Sequence, residues 1–536
     1  MFFQTDLLKI SALRKSERRF FITSAFVLLS QYSFSQTWEY TFGGTLGFKM
    51  METYDKGFAI LGTTGPQSNS RIFLLKTDID GNMLWNKTIG NGSFFSAANS
   101  IDITADGGYI LSGYTTQYDP MGAAFVLKLD ACGAKEWCHI YGLLNNYDWA
   151  RCVYQLNDGN YIVLASLFGP DTLHSGRVGL MKLNTIGNIL WNNDYSHYKS
   201  SDASSLLLTR DNGFLLSGNC YIQNPGDSAG PYILRTLVIK VDSGGIEQWN
   251  IPYGAMNYFY SRGGAARQTP ESGYLELCTF RDSINPYDHD WSYIFRADAS
   301  GNVLWGKQIG DSSKSEWDLD ILALNDSQSV CLAALTDTFN SNIYNIKLLK
   351  IDTAGNILDS AIYGYSTQSP DGKLEITHDG KILVCSTKDI GGNNYDIYAL
   401  KLNEHLQLDT MYNFSLNYDS LCSTGITSGF ISLDTMSYVG VEEVVRDEGE
   451  FLVYPNPATN QLRIKNSGFR IESIELFSIL GEKVFSEHLP SQPVGQGTPD
   501  SQLQTTFSVS HLPNGIYFLS VKSKEKIWSQ KIIISR

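Results

Sequence analysis

Histidine, cysteine and carboxylate groups are what this chain could do chemistry with, and their spacing is sparse. The eight histidines, at 139, 174, 197, 289, 378, 405, 488 and 511, show no i, i+4 pair that would set two zinc ligands on one helix face. No Gly-x-Ser-x-Gly elbow and no phosphate-cradling glycine loop occurs. Asp78-Ile79-Asp80-Gly81-Asn82 opens like a calcium loop, but the distal Glu is missing and equivalent stretches lack the second Asp, so it reads as a plain turn. Asp288-His289-Asp290-Trp291 is the densest polar–aromatic cluster and reads as a solvated loop between strands. No catalytic, metal-binding or cofactor-binding set emerges, and no cofactor is expected.

The eight cysteines are too few for a disulfide scaffold in a chain of 536 residues. Cys132 and Cys138 flank one turn, and their pairing is left open by spacing alone. The balance of 41 Lys and Arg against 55 Asp and Glu, a net charge of -14, argues against a nucleic-acid partner, which needs concentrated cations. Hydrophobic residues at 43%, aromatics at 12% and 48 glycines against 15 prolines describe folded, turn-rich β structure spread over two or more domains.

The elements that would carry any site are repeats. An aliphatic run ends in Lys or Arg, then an apolar residue, then Asp or Asn, with Gly three positions on and Trp four beyond it. LLKTDIDGNMLW ends at Trp85, and related segments end at Trp137, Trp191, Trp249 and Trp305. Two degenerate copies place Asp359 at the Trp position, and Leu406 and Thr410 at the Gly and Trp positions. The leading Asp or Asn falls at 78, 130, 184, 242, 298, 352 and 403, a spacing of roughly 51 to 58 residues that suits propeller blades. Short β-rich runs bounded by Asp-Gly and Gly-Gly turns precede each segment, so each repeat reads as four strands. A sheet of that size cannot bury both faces alone, and radial stacking of seven gives a seven-bladed β-propeller.

Trp38 to Gly43 resembles a further fourth strand, which either pairs with the last blade or caps an edge. Gly62, Gly113, Ala165, Gly218, Cys278 and Cys385 share one second-strand position that takes only small side chains, so those two cysteines read as packing residues. A Trp recurring at one position in five repeats reads as a device for packing blades together. The Gly-x-x-x-Trp fragment also resembles the repeat of quinoprotein-like propellers; the resemblance implies the fold and no quinone.

Before the repeats, Arg14, Lys15, Arg18 and Arg19 precede an apolar stretch from Phe20 to Leu29 and small residues at Ser33 and Ser35. That is the pattern of a signal peptide over residues 1–35, too short for a comfortable membrane span. The propeller is expected over 36–416, a connector over 417–450 and a last domain over 451–536.

In that last domain, Tyr454-Pro455-Asn456-Pro457 leads into a strand, and Gly481, Gly515, Tyr517 and Lys531 stand in apolar-alternating runs that read as a small Ig-like β-sandwich. The stretch from Leu489 to Gln504, rich in Pro, Gly and Gln, reads as a surface loop. These strings resemble the type A sorting domain of proteins that Bacteroidota export through the type IX secretion system. The resemblance implies the type IX machinery as a partner, passage across both membranes, removal of the domain outside, and release or attachment to surface lipopolysaccharide. For the propeller two readings stand: a non-catalytic module binding an unknown glycan or protein through its loops, or an extracellular polysaccharide hydrolase or lyase.

Overall fold

Each Asp-x-x-Gly segment folds as a tight turn between a third and a fourth strand. The Asp78 carboxylate accepts the backbone N–H of Asp80 and Asn82 at 2.9 and 2.8 Å, and Gly81 takes the left-handed conformation at φ 85°. The computed structural model describes residues 36–142, 147–168, 176–223, 232–254, 260–281, 290–310, 314–336, 343–367, 372–392, 394–412, 416–433 and 437–440, and in the last domain 451–454, 458, 460–466, 472–478, 483–488, 503–522 and 527–534. The expected leader at 1–35 lies outside these residues, as do Asp288 and His289. The chain divides into two compact units, Met1–Val441 and Glu442–Arg536.

The first unit contains seven antiparallel four-stranded sheets. Their inner strands are Gly47–Glu52, Ser96–Ile103, Trp149–Gln155, Ser201–Leu208, Tyr260–Gln268, Glu316–Ala323 and Lys373–Ile376. Each inner strand touches the next, and the seventh touches the first, so the sheets close into a seven-bladed ring. The last blade takes its outer strand from the start of the chain: Glu39–Phe42 pairs antiparallel with Asn394–Leu402. Of the two readings of Trp38 to Gly43, ring closure is the one observed.

The repeated Trp and Gly meet across blade boundaries. Trp137 of blade 2 lies against the turn Gly187 of blade 3, where an added Cβ would come within 2.9 Å of the indole. Trp305 lies in the same way against Gly355, also at 2.9 Å. The same rings meet an aromatic at the start of the next blade's second strand: Trp85 with Tyr109, Trp137 with Tyr161, Trp249 with Tyr274. At the closure Trp38 repeats the contact with Phe58 and donates its Nε1–H to the Ile79 carbonyl at 2.9 Å. Four residues after the Trp position, Tyr141, Tyr195 and Tyr253 donate to the carbonyls of Gly187, Gly245 and Gly301 at 2.7, 2.8 and 2.6 Å.

In blades 1, 2 and 4 the Lys that ends the aliphatic run is buried and ion-paired. Lys76, Lys128 and Lys240 reach Asp55, Asp106 and Asp211 in the turn between their blade's first and second strands, at 2.6, 2.8 and 2.9 Å. Of these pairs only Lys76–Asp55 is buried at both ends, so there the loss of either partner would strand a buried charge.

Cys132 pairs with Cys422, 290 positions away, and not with Cys138, which is buried and free. Cys278 and Cys385 are free and fully buried. Cys422 belongs to a strap crossing blades 1 and 2, within the segment expected as a connector. Asp419 accepts the Trp85 indole N–H at 3.2 Å, and the Lys87 ammonium donates to the Thr427 carbonyl at 2.8 Å. Gly429–Ile431 and Ser437–Gly440 then add as parallel fifth strands to the outer edges of blades 1 and 2, covering two of the exposed edges.

The second unit holds a three-stranded sheet (Phe451–Tyr454, Gln461–Asn466, Leu503–Ser508) and a four-stranded one (Lys483–His488, Ser473–Ser478, Gly515–Lys522, Ile527–Ile534). Leu462, Ile464, Leu476, Leu519 and Ile532 form its core. This is the expected small sandwich.

Glu276 breaks the repeat. It stands where other second strands carry Ile60, Leu111, Val163 and Leu216, and it is buried, with one oxygen accepting from the Ser217 hydroxyl at 2.8 Å and Oε1 without a partner. Burial pushes its pKa up to about 8 from an ordinary 4.5. The folded chain therefore keeps a proton that the unfolded chain releases, and stability falls as pH rises between those values, by at most about 1.4 kcal/mol per pH unit. Glu276→Leu should flatten this slope and raise the thermal midpoint at pH 8.5 more than at pH 5; an unchanged pH profile would contradict the assignment. Non-reducing peptide mapping should find Cys132 joined to Cys422, and Cys422→Ser should lower stability by about 2–4 kcal/mol.

Candidate functional site

The inner strands turn selected side chains toward the axis by a shared irregularity. In the first six blades one residue drops out of the pairing register just after the small second-strand position: Phe48, Asn99, Arg151, Ser204, Gly264 and Leu319. Such a bulge re-aims a side chain. All six line a central cavity of about 550 Å³.

Three of the four cations lining this channel, Lys49, Lys373 and Arg151, have a carboxylate partner, and the fourth, Arg262, is exposed. The buried Lys49 ammonium is 3.5 Å from Glu375 and sits 5.1 Å above the Tyr154 ring. Lys373 is 3.6 Å from Asp320, and Arg151 is 2.9 Å from Asp202. Burial opposes the charge on Lys49, yet Tyr154, Glu375 and Asp102 hold its pKa above the ordinary value. Burial raises Glu375 and Asp102 despite the attraction of Lys49, and raises Asp318 well above the usual carboxylate range. Asp318 exchanges hydrogen bonds with Thr279, its N–H donating to the hydroxyl at 3.0 Å. Among the described residues no group of three metal-ligating side chains converges.

A smaller cavity of about 230 Å³ shares Phe48, Asn99 and Arg151 with the channel. Its wall is a column of near-parallel rings. Phe95 and Tyr114 stack at 5.1 Å and 26°, Tyr114 and Trp149 at 5.1 Å and 29°, and the Arg151 guanidinium lies 4.4 Å from the Trp149 ring centre. Phe94, Tyr118 and Tyr147, in the loops leading to these rings, are exposed.

The sequence-singled tryptophans lie elsewhere. Trp85, Trp137, Trp191, Trp249 and Trp305 stand on outer strands, and none lines either cavity. Asp78 is engaged in its turn, as above, and Asp290 holds Arg281 through two 2.8 Å bonds and accepts the Trp317 indole N–H. In the second unit Tyr454 ends the first strand, Gly515 and Tyr517 open the strand Gly515–Lys522, and Lys531 lies in the last strand. The Tyr517 hydroxyl donates to the Pro513 carbonyl at 2.9 Å. Pro455, Asn456, Pro457 and Gly481 lie outside the described residues. Sequence reasoning missed the channel residues because inner strands are the least repetitive part of each blade; their one signal was polar and aromatic residues such as Trp149 and Arg151 interrupting a β-rich run.

No curated protein matches the chain. Among solved structures it is similar to puromycin hydrolase (TM-score 0.45, 10% identity, 69% of this chain and 53% of that one), so it spans about half that protein's length. It is also similar to Drosophila Plexin A in complex with Semaphorin 1b (0.39, 8%, 75% and 97%) and to an α-L-arabinofuranosidase from Fusarium graminearum (0.36, 10%, 57% and 93%). Likenesses this distant carry no functional argument. Residues 452–535 match the secretion system C-terminal sorting domain, so the chain ends in a type IX sorting tail that directs export to the cell surface or the extracellular space.

Proposed function

We propose that this is a surface or secreted propeller of the Bacteroidota type that serves as a non-catalytic binding module for a glycan or protein ligand at one mouth of its channel. Residues 1–35 act as a cleaved leader, and the tail is removed outside, leaving the propeller released or attached to lipopolysaccharide. The observation that carries the reading is the aromatic wall beside a channel of mostly paired charge: Lys49, Lys373 and Arg151 each have a carboxylate partner, and the adjoining cavity is walled by partly exposed aromatic rings. Matched charges suit a surface that holds a ligand, whereas glycoside hydrolysis needs an acid and a base or nucleophile spaced across the bond.

A polysaccharide hydrolase or lyase is the second reading, favoured by Asp318, a carboxyl lining the channel whose pKa burial raises well above the usual carboxylate range. When the full chain is incubated with a panel of extracellular polysaccharides, the account expects saturable binding with no accumulation of reducing ends or unsaturated products. Product that disappears in Asp318→Asn would replace the binding reading with the enzymatic one.

A further inference from the structure

We infer that the smaller cavity is a seat for a single pyranose ring of a polysaccharide, with the polymer continuing into the channel; this rests on the binding-module reading. A pyranose presents an apolar face of C–H groups and a rim of hydroxyls. Recognising it takes flat aromatic surface and polar groups at the ring's edge. The cavity has both in its lining: the Phe95, Tyr114 and Trp149 rings form one wall, and the polar residues Ser70, Asn99 and Thr45, whose hydroxyl donates to the Gly65 carbonyl at 3.3 Å, stand around it. One Asn99 N–H donates to the Ala150 carbonyl at 3.1 Å, and its Oδ1 meets no protein donor among the described residues.

Size and charge narrow the occupant. At about 230 Å³ the cavity is below the roughly 300–1,000 Å³ that drug-sized ligands fill, so one ring fits and an oligosaccharide does not. The shared residues Phe48, Asn99 and Arg151 open it toward the 550 Å³ channel, where further sugar units would lie. Arg151 is the one charged residue in its wall, so a cationic ligand gains nothing there, and no carboxylate is present to act as an acid or base on the seated ring. The column differs from the packing tryptophans. The repeat tryptophans, buried or half-buried, line neither cavity, whereas Phe95, Tyr114 and Trp149 are half-buried around one, in a face whose loops also expose Phe94, Tyr118 and Tyr147. Exposed aromatic clusters of this kind mark binding surfaces.

The test is a titration of the full chain against immobilised polysaccharides, neutral and uronate-containing, alongside Trp149→Ala, Tyr114→Ala and Trp149→Phe. Tyr232→Ala, an exposed aromatic of blade 4 that lines neither cavity, serves as the control. Thermal midpoints establish that each variant is folded, and saturation-transfer NMR on the wild-type complex reads whether sugar C–H protons lie against aromatic rings. Affinity should fall at least tenfold in both alanine variants and stay within about twofold in Trp149→Phe and Tyr232→Ala. Polysaccharide binding that both alanine variants retain would overturn the seat and leave the binding-module reading standing. Binding of protein ligands with no polysaccharide bound would overturn the saccharide assignment alone. Product release by the wild type would overturn the non-catalytic reading, and the KM of Trp149→Ala would then decide the seat, an unchanged KM overturning it.

Discussion

A tryptophan lying against the turn glycine of the next blade is the contact on which the ring depends. A four-stranded sheet has two faces to bury, and only its neighbours can bury them. The Asp-x-x-Gly turn sets a residue without a Cβ where the previous blade's indole arrives, and the same turn carbonyl receives a tyrosine hydroxyl in three of the blade pairs. Sequence motif and inter-blade contact are thus one feature: the Gly is there for the Trp of another repeat as much as for its own turn. Where the motif decays, the geometry persists. Leu406 adopts the left-handed conformation at φ 57° and its carbonyl still accepts the Tyr363 hydroxyl.

Closure follows from the same contact. Trp38 occupies the Trp position of the seventh blade, packs on Phe58 and bonds the first blade's turn, so the start of the chain completes the ring. The strap and its disulfide add a second tie across blades 1 and 2. With the outer strands committed to this regular packing, the inner strands are free to vary, and variation there is what shapes a site. The bulge common to six of them turns chemically unlike residues toward one axis, which is how Arg151, Asn99 and Phe48 come to border both cavities.

The blade number, the strand count per blade and the sandwich were legible because each rests on local periodicity and turn chemistry repeated many times over. The role of the terminal Lys in each run was not, since its partner lies in a different turn, as Lys76 and Asp55 show. Nor was the Cys132–Cys422 bridge: no local rule links positions 290 residues apart, and the adjacent Cys138 offered a misleading neighbour. Glu276 could have been flagged by alignment as a carboxylate in an aliphatic position, but its burial is a property of the assembled ring. The ring column of Phe95, Tyr114 and Trp149 draws on two strands and a loop residue from two blades, and no spacing in the chain announces it.

The central claim is that the turn glycine and the preceding blade's tryptophan act as one clasp. A double-mutant cycle on Gly355 and Trp305 measures it, with stability read from denaturant unfolding. Gly355→Ala carries a backbone cost of about 1–2 kcal/mol for a left-handed alanine in any background. The account predicts a larger loss when Trp305 is present and only that backbone cost once Trp305→Ala has removed the ring. An equal loss in both backgrounds would show that the two residues are independent, and that the repeat is held together by something other than this contact.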